Sequence, residues 1–232
     1  MFDLHGFGPL LLLGTLMTVQ LSVASALLGL VLGLLGATMK LSRFWLLRLL
    51  AGIYTAVIRG VPELIVILFL YYGGVILLNN LARSLGYTSY IDVSGFTAGV
   101  AALSLTFGAY ATEIFRGAIA AVPDNQIEAA RAIGMTQVTI FRRILLPQVW
   151  RFALPGLGNI FLVIIKETAL VSVIGLDELM RKTDIAVGYT KEPFTFYLFA
   201  AFIYMAITTV TMLVQRELER RANRGVAGRV AA

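Results

Sequence analysis

Cysteine is absent from the chain and histidine occurs once, at His5. The first absence excludes disulfides, thiolate metal sites and thiol nucleophiles; the second excludes clustered imidazoles, so no metal site is expected. Charge is scarce too. Only 14% of the 232 residues are charged while 59% are hydrophobic, against about 25% and about 45–50% in soluble domains. So little charge cannot coat a water-facing surface of this size, and the chain reads as a membrane protein. Its apolar stretches run on without alternating polarity, which argues against an outer-membrane barrel and for helices. A GxxxxGK[ST] phosphate loop is missing, as is any Gly-Lys pair. The chain is therefore not expected to hydrolyse ATP or to be an enzyme in its own right.

What is present are five apolar runs, at about 8–37, 52–78, 96–122, 152–176 and 194–215. Each meets the roughly 20 residues that a helix needs to cross a bilayer. Arg59, Pro62 and Glu63 interrupt the second, Glu113 and Arg116 lie in the third, and Lys166 and Glu167 in the fourth. A cleaved signal peptide is not expected, because the start carries Asp3 and no Lys or Arg before the first run. The expected fold is an all-α integral membrane protein of five transmembrane helices, with residues 1–232 as one domain.

The basic residues orient it. None precedes Gly6; the connections then hold three (Lys40, Arg43, Arg48), one (Arg83), four (Arg131, Arg142, Arg143, Arg151) and three (Arg181, Lys182, Lys191), and five follow Val214. Positive loops gather on the cytoplasmic side, so the N-terminus is expected in the periplasm and the C-terminus in the cytoplasm. The fourth connection fits through its four acids, Asp177, Glu178, Asp184 and Glu192. The net charge of +6 is thereby accounted for without a nucleic-acid partner.

The third connection, about 123–150, is far longer than the two to eight residues that usually join helices in a bundle. Within it Ile127 to Arg143 reads as a surface helix, started by Pro123 and Asp124-Asn125 and closed by Pro147. Gly134 interrupts its middle. A glycine costs about 1 kcal/mol in a helix interior, so a bend or close backbone approach is expected there rather than a plain lipid-lying helix.

Glu128-Ala129-Ala130, then Gly134, then Ile144-Leu145-Leu146-Pro147 resembles in residue and spacing the EAA loop of binding-protein-dependent ABC importer permeases. The resemblance covers nearly the whole chain. Arg59-Gly60-Val61-Pro62-Glu63-Leu64, Gly108-Ala109-Tyr110 with Glu113 and Arg116-Gly117-Ala118, Ala153-Leu154-Pro155-Gly156, Lys166-Glu167-Thr168 and Leu170-Val171-Ser172 are similar to the polar amino-acid permeases of histidine/lysine-arginine-ornithine and opine type. The resemblance implies a bacterial inner-membrane subunit that takes up polar amino acids. It implies as partners a pair of cytoplasmic ATP-binding subunits holding ATP and Mg, a second permease (a sister chain or another copy) and a periplasmic amino-acid-binding protein. This chain would hold no cofactor. The loop would be two short helices docking on the ATP-binding subunit, with Glu128, Ala129, Ala130, Arg131, Gly134, Leu146 and Pro147 as coupling residues. Where the family often has a glycine before Gln126, this chain has Asn125, a residue that also accepts the left-handed conformation.

Six charges fall inside the spans. Such residues normally face a partner or a water-filled cavity. Glu113 and Arg116 are three apart and Arg59 and Glu63 four apart, spacings that suit ion pairs on one helix face, with Pro62 a candidate helix break between the latter two. Arg59, Glu113 and Arg116 are therefore read as structural. Lys166 and Glu167 are adjacent, about 100° apart around a helix, and cannot satisfy each other side by side. Glu167, beside Thr168, is a candidate acceptor for an ammonium or guanidinium group, with Glu63 second and Lys166 on the same pathway; internal ion pairing is the competing reading. For the whole chain, the alternative is a stand-alone channel or ion-coupled carrier, which has no use for a long docking loop.

Overall fold

The computed structural model describes residues 4–87 and 89–223; the charges counted at Asp3, Arg224 and Arg229 lie outside them. The described residues form eight helices: α1 (Gly8–Lys40), α2 (Trp45–Gly60), α3 (Glu63–Ser84), α4 (Gly95–Ala120), α5 (Asp124–Ala132), α6 (Gln137–Ile174), α7 (Leu179–Thr190) and α8 (Pro193–Ala222). Five of them, α1, α3, α4, α6 and α8, are long and apolar enough to cross a membrane.

Their polarity is inverted relative to a soluble bundle. The face of α1 turned inward carries Gly14, Ser22, Ser25, Gly29, Gly33 and Gly36, whereas Leu12, Leu13, Leu16, Leu27 and Leu34 point outward. Without a hydrophobic drive between helices in lipid, small residues let backbones approach and pack closely. A Cβ on Gly29 would lie 2.8 Å from Phe107, and one on Gly33 2.5 Å from Ala111, so α1 and α4 pair through these positions. The main core, with Leu21, Leu103, Phe107, Ile164 and Val171, joins α1, α4 and α6.

The structure redraws four boundaries. The run at 52–78 is two helices, because Val61 (φ −109°, ψ 137°) and Pro62 (φ −56°, ψ 135°) are extended. Proline has no N–H and holds its predecessor out of the helical region. The second span accordingly starts at Glu63 and runs past Leu78 to Ser84.

The single helix expected over Ile127–Arg143 is also two. α5 stops at Ala132, Gly134 takes φ +80°, and α6 begins after Thr136, whose hydroxyl caps Thr139 N at 3.3 Å. Pro147 does not close a helix. α6 continues through it, widening into a π-helical turn over Phe141–Leu145 just before, which moves the preceding carbonyls that a proline ring would otherwise strike. Asn125 adopts no left-handed turn; it lies in the first turn of α5.

The fourth connection is not an open loop. It holds α7, whose start is capped by the Glu178 side chain and whose end is Lys191 in a left-handed conformation (φ +59°).

Candidate functional site

Four groupings of polar residues stand out. The first lies where α1, α2 and α4 meet. Lys40 ends α1, donates to the Thr55 hydroxyl at 2.7 Å and pairs with Glu113, whose other oxygen accepts from Arg116 Nε at 2.9 Å. The Glu113–Arg116 pair is as expected from spacing. Lys40 was missed as its second cation, being counted among the residues of a loop. Lys40, Thr55 and Glu113 border an open cleft of about 510 Å³, which Arg59 and Tyr110 also line.

The second is a cavity of about 190 Å³ bounded by Glu63, Thr106, Phe107, Tyr110, Ile160, Val163, Ile164 and Glu167. The backbone break at Val61-Pro62 is what turns Glu63 here while Arg59 stays behind it. Arg59 is fourteen residues beyond Trp45, about 21 Å along the helix. Arg59 and Glu63 do not pair: of the two readings their spacing left open, the break at Pro62 is the one found. Arg59 instead stacks over the Tyr110 ring, 5.1 Å from its centroid, a favourable position for a cation on an aromatic face. Glu167 ends the α-helical part of α6 and is half-buried; its Oε2 is buried without a hydrogen-bond partner. The two carboxylates thus share one cavity. Lys166 faces outward, away from it, and Thr168 is buried with its hydroxyl donating to Ile165 O at 2.7 Å. Of the four pathway candidates, then, Glu63 and Glu167 meet and Lys166 and Thr168 do not join them. Tyr110, a wall of both the cleft and the cavity, was given no role from sequence, although it stands one turn before Glu113.

The third is the α5–α6 loop. Glu128, Ala129 and Arg131 are exposed, Ala130 is buried, and Leu146 and Pro147 are exposed. Among the described residues the Glu128 side chain has no hydrogen-bond or ion partner. Gln148 bonds Gln126 at 2.7 Å, tying the start of α5 to α6. Between them Ala129, Ala130, Ile133, Met135, Arg143 and Pro147 help line an open hollow of about 480 Å³. Ile133 (78% exposed) and Val138 (67%) present bare apolar surface on the same loop. Exposed apolar side chains around an unpaired acid are what a protein-docking surface offers.

The fourth was not anticipated. Glu178 is fully buried, accepting from Met180 N and Arg181 N at 2.8 Å each, from the Tyr204 hydroxyl at 3.2 Å and from the Thr18 hydroxyl at 3.4 Å. Burial raises its carboxyl above the ordinary value, and the four donors oppose that rise. An acid just ahead of a helical stretch was the available signal. Among the described residues no three His, Cys, Asp or Glu side chains are placed to hold a metal ion.

A bundle of apolar helices around an apolar core, with charged groups gathered at a cleft and a small cavity and with one exposed two-helix loop, defines a polytopic membrane protein. The chain belongs to the family described as binding-protein-dependent transport system inner membrane component, which matches residues 26–224. It is 48% identical over 222 residues to the nopaline transport system permease protein NocQ of Agrobacterium fabrum (strain C58), covering 95% of this chain and 94% of that protein. It is 44% identical over 223 residues to the histidine/lysine/arginine/ornithine transport system permease protein HisQ of Escherichia coli (strain K12), covering 96% and 97%. The expected resemblance to the amino-acid and opine permeases is therefore confirmed. Among solved structures, a crystal structure of an amino acid ABC transporter with histidines matches with a TM-score of 0.78 and 38% identity over 92% of this chain and 94% of that one. An inward-facing MetNI methionine ABC transporter shares the fold, with a TM-score of 0.72 at 18% identity over 93% of this chain and 97% of that one.

Proposed function

We propose that the chain is the permease subunit of a binding-protein-dependent ABC importer of the bacterial inner membrane, carrying polar amino acids with cationic side chains, or opines. The observation that carries this reading is the α5–Gly134–α6 loop, with Glu128 exposed and unpaired beside bare Ile133 and Val138. That loop docks on a cytoplasmic ATP-binding subunit, which holds ATP and Mg; Glu128 meets basic groups there, and Ala129, Ala130, Arg131, Leu146 and Pro147 shape the contact. Closure of a pair of such subunits draws two loops together and turns the spans from inward-facing to outward-facing. Residue placement supports a cytoplasmic loop end, a periplasmic N-terminus and a cytoplasmic C-terminus, because Lys40, Arg43, Arg142, Arg143 and Arg216 all fall at that end.

The pathway runs by the cavity between Glu63 and Glu167, whose carboxylates receive the ammonium or guanidinium group of the substrate. A second permease, sister chain or copy, completes the far wall, and a periplasmic binding protein delivers the amino acid. The deciding test is Glu128→Lys: the subunit should insert and assemble in the membrane yet lose uptake and transport-linked ATP hydrolysis. Normal uptake by that variant overturns the docking role. Glu167→Gln should change the rate or range of amino acids taken up while assembly persists.

A further inference from the structure

Between α1, α6 and α8 lies a groove of about 330 Å³ that the transport mechanism leaves unused. Its walls are apolar, with Val23 on α1, Leu154 and Ile165 on α6, and Ile207, Val214 and Leu218 on α8. The three polar side chains that also line it are already engaged. Ser22 donates to Thr18 O at 2.7 Å and Thr211 to Ile207 O at 2.9 Å. Gln215, packed over Gly158, donates to Glu219 at 2.8 Å and to Pro155 O at 3.4 Å. Water or a carboxylate would find no free side-chain donor on these walls, so the groove suits hydrocarbon.

Its length matches one leaflet of a bilayer. Leu154 to Ile165 and Ile207 to Leu218 each advance eleven residues, about 17 Å of helix, against about 15 Å for half of a hydrocarbon core. It also opens away from the cavity. Leu154, Phe161 and Ile165 share one face of α6, whereas Ile160, Val163, Ile164 and Glu167, which line the cavity, lie roughly 140° round the helix. A second permease that closes the cavity would stand on the far side of α6 from the groove.

At the end nearer the α5–α6 loop the groove meets positive charge. Trp150 and Arg151 stand one turn before Leu154, and Trp150 is 46% exposed. Among the described residues Arg151 makes no ion pair and no side-chain hydrogen bond; it rests over the Phe152 ring, 4.8 Å from the centroid. At the same level of α8, Arg216 has no ion partner, Glu217 pairs with Arg220 and Arg221, and Glu219 accepts from Gln215. Four arginines against two glutamates leave an excess of positive charge at this end. Basic side chains between spans, with a tryptophan beside them, suit the level of anionic lipid headgroups.

We propose that this groove holds one acyl chain of an anionic phospholipid from the leaflet at the loop end, with Arg151 receiving the headgroup phosphate. Bound there, the lipid fills the seam between the first span and the helix that continues from the docking loop.

The test places the intact transporter, with its ATP-binding subunits and partner permease, in phosphatidylcholine nanodiscs. These contain a small, rising fraction of phosphatidylglycerol carrying a photoreactive diazirine midway along one acyl chain, and labelled peptides are mapped by mass spectrometry. Labelling should saturate and concentrate on residues 154–165 and 207–218. Half-saturation should come at about tenfold lower fraction than for the same diazirine on phosphatidylcholine, the worth of a charge-assisted contact. Arg151→Gln should bring the two probes within about twofold of each other. Val23→Phe and Val214→Phe fill the groove from opposite walls. Each should cut labelling about tenfold or more in transporter that remains assembled, as expected when two or more methylenes lose their place. Labelling that grows in proportion to the lipid fraction and spreads over outward residues such as Leu12 and Leu27 would show surrounding bilayer lipid only and overturn the site. Groove peptides left unlabelled while those outward residues react would mean that protein, the second permease included, covers this face, and would overturn it too. Equal half-saturation of the two probes in the wild type, or an undiminished preference in Arg151→Gln, overturns the headgroup contact.

Discussion

Thr18 and Glu178, 160 positions apart in the chain, are joined by a hydrogen bond of 3.4 Å, and the same threonine oxygen accepts from Leu179 N at 3.2 Å. One buried carboxylate thereby fixes the start of α7 against the first span and, through Tyr204, against the last. Leaving such a group without its donors costs about 1–3 kcal/mol.

The pH dependence of this node follows from burial. Because the folded environment raises the Glu178 carboxyl above its ordinary value, the folded protein binds a proton where the unfolded chain has released it. Stability is then greater below this window and falls as pH rises through it. Glu178→Gln removes the titrating group; its single amide oxygen can keep the bond from Met180 N, and the bond that Arg181 N makes to the other oxygen is lost. The thermal midpoint of the purified transporter should decline with pH across that window in the wild type and lose that component in the variant. An unchanged slope would mean that Glu178 does not titrate there.

The paired helices α1 and α4 should be intolerant of the smallest added side chain. At Gly33 a Cβ would sit 2.5 Å from Ala111, whereas at Gly52, on α2, it would meet nothing within 4 Å. Overpacking costs about 1–3 kcal/mol. Gly33→Ala should lower the melting temperature of the detergent-solubilised protein, and Gly52→Ala should leave it unchanged or raise it through better helix propensity.

Lys40, Glu113 and Arg116 form a unit whose members are worth more together than apart. The side chains of Lys40 and Glu113 are only 17% and 22% exposed, so removing one strands the other. Glu113→Ala should cost about 2 kcal/mol, and adding Lys40→Met should recover part of that loss, because a buried charge without its partner is worse than neither. A double-mutant cycle by thermal unfolding measures the coupling; strict additivity would show that the pair contributes nothing.

Much of this architecture is legible in the residues themselves. Apolar runs and basic loops mark the five long helices, and Glu128, Gly134 and Pro147 mark the loop. What is not legible arises from contacts distant in sequence or from local backbone adjustment. Lys40 belongs to a loop by hydropathy, yet the length of α1 carries it to Glu113, 73 positions away. Glu178 reads as one acid among four in a charged connection, and nothing local reveals that Thr18 and Tyr204 will close over it. Pro147 reads as a helix stop because a π-helical turn, which spares the helix, leaves no periodic trace. Arg59 and Glu63 have the spacing of a pair, and here the sequence does carry the warning, since Pro62 marks the break that separates what a continuous helix would have joined.

Gly134 supplies the last expectation. It holds φ +80° between α5 and α6, and a Cβ there would touch nothing within 4 Å, so a substitution meets conformational strain alone. A left-handed residue costs about 1–2 kcal/mol for an ordinary side chain and less for asparagine. Gly134→Asn should therefore retain most uptake, Gly134→Ala less, and Gly134→Val least, since a β-branched residue fits this region worst. Binding-protein-stimulated ATP hydrolysis in proteoliposomes should follow the same order if the turn sets the angle between the helix that carries Glu128 and the helix that continues into the fourth span. Loss of uptake in step with backbone strain, while the subunit remains assembled, locates the coupling in the geometry of the loop. Equal activity in all three variants would show that the two helices do not need this turn to transmit closure.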